Sequence, residues 1–271
     1  MAAGRPTITD RQVDEFQRDG VLLLRGAFAD WVDDLRRGME TNMAAPSWRE
    51  RSIQPEDGSA PFFQDFCNWD KIPEYNRFVK ESPAAETAAR LMRSKTARLF
   101  HEHILVKEPG SSVVTPWHHD MPYYCVEGGM NCSLWITLDP VARDCVIEYV
   151  AGSHRWGREF RPERFNGTSL TPGDTRERIP DISANRNDYD IRGWAMEPGD
   201  AVAFTYRTVH GAPANNSAER RRAFSIRFVG DDAVYAEKGV HSPPFPDLGL
   251  EAGEPLAGND FPLLWPLPWS A

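Results

Sequence analysis

The sequence predicts a mainly β protein with N-terminal helices, its strands wound into a double-stranded β-helix, or jelly roll. Two observations carry that expectation. From about residue 97 the segments "ARLFHEHILVK", "SVVTPWH", "MNCSLWITLD", "CVIEYV", "IRGWAM", "DAVAFTY" and "AFSIRFVG" have strand composition, and turn clusters such as "EPGS", "EGG", "AGS" and "EPGD" separate them. No spacer of helix length falls between these runs, which points to an antiparallel sandwich or barrel of jelly-roll type.

The part before residue 97 reads as mostly helical. In "TITDRQVDEFQRDG", Thr9 is placed to cap a helix, Gln12 completes a capping box, Val13 and Phe16 share an apolar face, and Gly20 stops the run. "VLLLR" (21–25) is a short strand. Asp30 stands where it could cap a helix carrying Trp31, Leu35 and Met39, and Ser82-Pro83 opens another through "AAETAARLM". The closing stretch is rich in Pro and Gly but carries many large apolar groups, so it is expected as an irregular arm packed on the body. With no internal repeat, residues 1–271 are expected to form one domain. It would comprise a helical part to about 95, a jelly-roll core over about 96–230, and the arm over about 231–271.

Composition narrows the function. Of 271 residues 41% are hydrophobic and 26% charged, as in an ordinary globular protein, and a formal charge of −9 argues against nucleic acid or anionic membrane as partner. Cys67, Cys125, Cys132 and Cys145 form no CxxC pair and are expected reduced, in a cytoplasmic protein. The N-terminus has no apolar signal core, and no apolar run is long enough to span a bilayer. A small-molecule substrate is the expected partner, with the protein a monomer or homodimer.

The stretch "TPWHHDMPYY" (115–124) sets two histidines before an aspartate. If 114–121 is extended, His118 and Asp120 share a face and His119 points away, toward surface or supporting contacts. His210, in "FTYRTVHGAPANN", lies where a neighbouring strand could bring it opposite His118. Two imidazoles and one carboxylate on one face suit non-haem Fe(II). A hydrogen-bonded strand pair with no metal is the plain alternative. Arg221 follows His210 by eleven residues inside "ERRRAF", where its guanidinium could grip a carboxylate in two-pronged fashion, while Arg220 and Arg222 read as solvated loop charges.

HxD, a distal His and an Arg at that interval resemble the phytanoyl-CoA dioxygenase family of Fe(II)/2-oxoglutarate oxygenases. "ITDRQVDEFQRDGVLLLRGAF", "VKEPGSSVVTPWHHDMPYY", "SLWITLDP" and "VIEYVAGSHRWG" resemble further family blocks, which together run from about residue 8 to 230. The resemblance implies that His118, Asp120 and His210 ligate Fe(II) and that Arg221 pairs with the distal carboxylate of 2-oxoglutarate. It also implies that O2 is consumed, succinate and CO2 are released, and a substrate C–H bond is oxidised, with hydroxylation the default. Trp135 and Lys107 match positions that border the co-substrate pocket. Asp120 stands where halogenating relatives have a small residue, so halogenation is not expected. One departure is Ala212, where members often carry Ser or Thr to help hold 2-oxoglutarate. Ser225, Thr205 or Tyr206 could supply the missing hydroxyl. Tyr123 and Tyr124, and the aromatics of "PFFQDFCNW" (61–69), could reach the substrate.

A rival constellation is "HEHILVKE", where His101, His103 and Glu108 resemble a cupin metal motif; the usual bracketing glycines are replaced by Lys95 and Thr115. A catalytically silent binding protein of the same fold is a third possibility, against which the complete set of His118, Asp120, His210 and Arg221 argues.

Overall fold

The computed structural model describes residues 8–164, 167–170, 173–238, 243, 245 and 248–266. Part of the expected C-terminal arm, including His241, lies outside them. The helical part opens with α1 (Asp10–Asp19), whose capping box forms as read: Thr9 Oγ1 accepts from the Gln12 backbone N–H at 3.3 Å, and Gln12 Oε1 accepts from that of Thr9 at 3.0 Å. Gly20 closes the helix at φ +73°, and a Cβ there would stand 2.3 Å from the His154 ring, so both conformation and space demand glycine. The strand β1 (Val21–Leu24) follows.

Asp30 caps nothing. A 3-10 turn (Ala29–Trp31) intervenes, and α2 (Val32–Ala44) begins beyond it. The Phe28 N–H donates to the Gly199 carbonyl, and Trp31 packs edge-on against Phe78 at 5.5 Å, so tertiary contacts fix this turn over the local capping signal. The second strand, β2 (Phe62–Phe66), arises in a stretch not expected to be extended. α3 (Pro73–Glu81) ends at Ser82, whose Oγ accepts from Ala84 N–H as α4 (Ala84–Met92) starts.

The β region holds β3 (Ala97–Lys107), β4 (Thr115–His118), β5 (Val126–Glu127), β6 (Asn131–Thr137), β7 (Glu148–Val150), β8 (Ile191–Arg192), β9 (Ala201–Phe204), β10 (His210–Ala212) and β11 (Arg221–Val229). Two short strands of the arm follow: β12 (Val234–Tyr235) and β13 (Leu263–Trp265). Seven strands form one antiparallel sheet, ordered β1-β9-β6-β11-β3, with β2 and β13 both along the far side of β3. Facing it is a four-stranded sheet ordered β4-β10-β7-β8, and β5 pairs with β12. This is the jelly roll the sequence predicts. β4 is shorter than expected because the Val113 carbonyl accepts from Lys107 Nζ at 2.6 Å instead of joining a ladder.

Strand parity sorts the large sheet into two faces. Ile104, Val106, Leu134, Ile136, Phe224 and Ile226 face the helices and form the main apolar core with Phe16, Leu35, Tyr75 and Leu91. Phe224 is fully buried against the rings of Tyr75 and Phe78, so truncating it to Ala is expected to cost about 3–5 kcal/mol. The alternate residues, among them Lys107, Leu105, Arg221, Ala223 and Ser225, face the smaller sheet and line a cavity between the two. The arm is packed, as expected: Leu256 and Phe261 are buried with Phe100 and Tyr124.

Candidate metal centre

Antiparallel pairing of β4 with β10 sets His210 directly opposite His118, with ring centroids 4.2 Å apart. Each ring is oriented by its own backbone. His118 Nδ1 lies 2.8 Å from the Pro116 carbonyl and His210 Nδ1 2.9 Å from that of Thr208, so each Nδ1 carries the proton and each Nε2 lone pair is left free. Both Nε2 atoms face Asp120 Oδ1, at 3.6 Å from His118 and 4.0 Å from His210.

Asp120 reaches this point by a route the parity argument did not foresee. The strand ends at His118, and Asp120 adopts helical angles (φ −75°, ψ −33°) at the head of a 3-10 turn. His119 does point away, but into the interior. It is buried, its Nε2 accepts from the Phe160 N–H at 3.1 Å, and burial pushes its pKa down to about 4.

The donor atoms of His118, Asp120 and His210 lie within 4.8 Å of one another, a spacing and chemistry that fit one divalent cation. Their protonation fits as well. Burial, reinforced by the neighbouring His118, pushes His210 down to about 3, leaving a neutral imidazole. Burial raises the Asp120 carboxyl, but the Arg227 guanidinium, His210 and His118 outweigh it and hold the group down at about 2. Arg227 is buried, with Nε 3.5 Å from Asp120 Oδ2, the carboxylate oxygen that does not face the histidines. Sequence reading missed it, although positions 221, 223, 225 and 227 of one strand share a face.

Arg221 and Lys107 stand opposite each other where β11 begins, at one end of the same cavity. Arg221 is 7% exposed, and one of its Nη groups donates to the Cys145 carbonyl at 2.5 Å. Among the described residues its other nitrogens have no hydrogen-bond partner. Lys107 donates to the Val113 and Pro213 carbonyls at 2.6 and 3.1 Å and to Thr115 Oγ1 at 3.3 Å, while burial, and then Arg221, push its pKa down to about 6. Trp135 is buried on the cavity wall opposite Ser225.

The hydroxyl absent at Ala212 has two replacements lining the cavity. Ser225 is one. Thr115, the cross-strand partner of Ala212, is the other, and sequence reading did not consider it because the pairing is visible only in three dimensions. Thr205 instead faces Thr208 at 3.0 Å, and the Tyr206 hydroxyl donates to the Phe228 carbonyl, so neither borders the cavity.

The flanking arginines are not solvated loop charges. Arg222 grips Asp139 with two bonds at 3.0 and 2.7 Å, and Arg220 pairs with Glu108 at 2.8 Å and Glu40 at 3.1 Å. Their parity turns them toward the helix side, where these carboxylates lie. Glu108 is thereby engaged outside the cavity, His103 is stacked on Phe66 at 3.9 Å, and His101 is packed against Phe100 and Tyr124. Among the described residues these three do not converge as a metal site; the converging set is His118, Asp120 and His210. Tyr123 and Tyr124 both line the cavity, Tyr123 with its ring 6.2 Å from that of His118 and Tyr124 buried beneath the Arg227 guanidinium at 5.6 Å.

Comparison with known proteins places this site in a family. The phytanoyl-CoA dioxygenase (PhyH) family model matches residues 16–223, and the chain belongs to that family. A probable phytanoyl-CoA dioxygenase of Caenorhabditis elegans is 24% identical over 177 residues, covering 62% of this chain; the chain spans 54% of that curated relative's length. Among solved structures, the non-heme alpha ketoglutarate dependent carbocyclase SnoK from nogalamycin biosynthesis is 25% identical, with a TM-score of 0.76 over 95% of this chain and 97% of that one. The epimerase SnoN, crystallised with Fe3+, alpha ketoglutarate and nogalamycin RO, is 23% identical, with a TM-score of 0.76 over 94% of this chain and 98% of that one. These likenesses establish the fold.

Proposed function

We propose that the chain is a non-haem Fe(II)/2-oxoglutarate-dependent dioxygenase that oxidises, by hydroxylation, an unactivated C–H bond of a small or lipid-like molecule. The observation that carries this reading is one cavity holding both the converged His118, Asp120 and His210 and a buried arginine with unpaired donors. His118 and His210 would hold iron through Nε2 and Asp120 through Oδ1. Iron with 2-oxoglutarate and O2 supplies the oxidising power when bound. The chain's own part is to place and protect. Backbone carbonyls of Pro116 and Thr208 keep both imidazoles in one tautomer, and Arg227 restrains the second carboxylate oxygen. Arg221 and Thr115 receive the distal carboxylate of 2-oxoglutarate, Lys107 stands behind them bonded to Thr115 Oγ1, and Trp135 walls its carbon chain.

The aromatic walls of the cavity, Phe62, Phe66, Trp117 and Tyr123 among them, would exclude bulk water from the reacting C–H bond. We further take residues 1–271 to act as one oxygenase domain. No helix among the described residues is long and apolar enough to cross a membrane. The cysteines are free thiols and three of the four are buried, which favours a reducing, cytoplasmic setting. The test is release of succinate from 2-oxoglutarate, dependent on Fe(II) and O2, screened against a metabolite collection. A triad-dependent signal supports the reading, and its absence with iron-loaded protein at every substrate counts against it.

A further inference from the structure

A further arginine lines the same cavity as Arg221. There the wall includes Arg161 and Glu163, from the segment that follows the 3-10 turn at Ser153–Arg155. Arg161 spends only its Nε on Glu163, at 2.7 Å from Oε1, and among the described residues its two terminal amino groups have no partner. Glu163 is shared: Arg178 binds both its oxygens, at 3.0 and 3.2 Å. One carboxylate thus serves two guanidiniums; Asp174, which also feels the Arg161 charge, is itself bonded by Arg176. Nearby arginines differ in this respect, since Arg176 is clamped on Asp174 and Arg158 on Glu177, each through two nitrogens.

Backbone bonds hold this position. The Tyr123 hydroxyl donates to the Glu163 carbonyl at 3.0 Å and accepts from its N–H at 2.9 Å, and the Arg161 N–H donates to the Glu177 carbonyl at 2.9 Å. Tyr123 follows Asp120 by three residues, so the arginine is tied to the turn that presents the metal-facing carboxylate. Between triad and arginine the wall offers little to bind a polar group. Ile179 is apolar, the Trp117 Nε1–H is taken by Ser183 Oγ at 3.0 Å, and the Tyr123 hydroxyl is used in both directions.

Building on the oxygenase reading, we propose that the substrate is an amphipathic carboxylate, its apolar body lying along this wall and its carboxylate held by Arg161. A planar fork with two free amino groups matches one carboxylate in geometry and charge. Lys107 and Arg221 are assigned to 2-oxoglutarate, so substrate and co-substrate anions would be held by different arginines of the one cavity.

The test uses the full chain loaded anaerobically with Fe(II) and saturating 2-oxoglutarate, with 6-phenylhexanoate and its uncharged amide as probes followed by calorimetry. The visible metal-to-2-oxoglutarate band is recorded first, in wild type and in each variant. Its absence from wild type overturns the oxygenase reading, and this proposal with it, before any probe is added. With the band present, the acid should bind about tenfold or more tightly than the amide, as a two-pronged arginine contact implies. Arg161→Gln should bring the two within about twofold while leaving the band unchanged, and Arg158→Gln should keep the full preference. Equal binding of acid and amide to wild type, or a preference that survives Arg161→Gln, overturns the proposal. So does loss of acid binding as 2-oxoglutarate is raised, because the probe would then sit at Arg221.

Discussion

Removing Arg221 should cripple 2-oxoglutarate binding and leave iron binding intact. The side chain is 7% exposed, and its bond to the Cys145 carbonyl pins one Nη while the remaining donors face the cavity. Charge-assisted hydrogen bonds from such a group contribute about 1.5–3 kcal/mol. A carboxylate then left desolvated without its partner raises the loss to about 3–5 kcal/mol. At about 1.4 kcal/mol per decade, Arg221→Ala should weaken 2-oxoglutarate a hundredfold to a few thousandfold. Arg221→Lys should recover only part, because an ammonium cannot reproduce the planar fork. The assay is anaerobic titration of the Fe(II) protein with 2-oxoglutarate, with iron affinity measured separately by chelator competition. Arg220→Ala is the control. It breaks partly exposed ion pairs to Glu108 and Glu40, costing about 0.2–1 kcal/mol of stability, with no effect on 2-oxoglutarate. Equal weakening by both substitutions, or loss of iron in Arg221→Ala, would refute the reasoning.

Three further outcomes are expected. Thr115→Val should raise the 2-oxoglutarate Kd by about tenfold to a hundredfold, the worth of one hydrogen bond to a charged group, and Ala212→Ser on the strand opposite should restore it; an unaltered Kd in Thr115→Val removes that residue from the site. Arg227→Met should lower iron affinity about tenfold to a hundredfold by freeing Asp120 Oδ2, with Arg221-dependent binding unaffected once iron is saturating; unchanged iron affinity would make Arg227 merely structural. Glu102 is fully buried on the helix side of β3, and burial raises its carboxyl from 4.5 to about 8. The unfolded chain therefore ionises first, so the stability this group contributes is full below about pH 4.5 and is lost as pH rises toward 8. Glu102→Gln should remove that decline, gaining up to a few kcal/mol over wild type at pH 8 and little at pH 4.5 in urea unfolding; parallel pH profiles for the two proteins would contradict it.

Much of this was legible in the residues because period 2 is a strong signal. It turned His119 away from His118, while the distal His210 was reached from its place just after a strand and from the family resemblance. The same logic reached Asp120 for a reason that does not hold in detail, since a turn and not an extended strand brings it to the histidines. What sequence could not supply was long-range pairing. β2 lies in a stretch with no clean alternation and becomes a strand because the edge of β3 is there to pair with. Thr115 faces Ala212 only through the β4–β10 register, and Arg161 lines the cavity from a segment that Tyr123 bonds at Glu163, 40 residues away in sequence. The roles of Arg220 and Arg222 depended on carboxylates far away in sequence, Glu40 and Asp139.

The most direct test is the visible band that forms when 2-oxoglutarate is added to the anaerobic Fe(II) protein, followed with iron content in four variants checked for native fold by circular dichroism. The account predicts that His118→Ala, Asp120→Ala and His210→Ala each lose the band and bind iron weakly. His119→Ala should keep both, because its ring serves the Phe160 backbone and not the metal. A band that persists in His118→Ala or His210→Ala, or one that vanishes in folded His119→Ala, would contradict it.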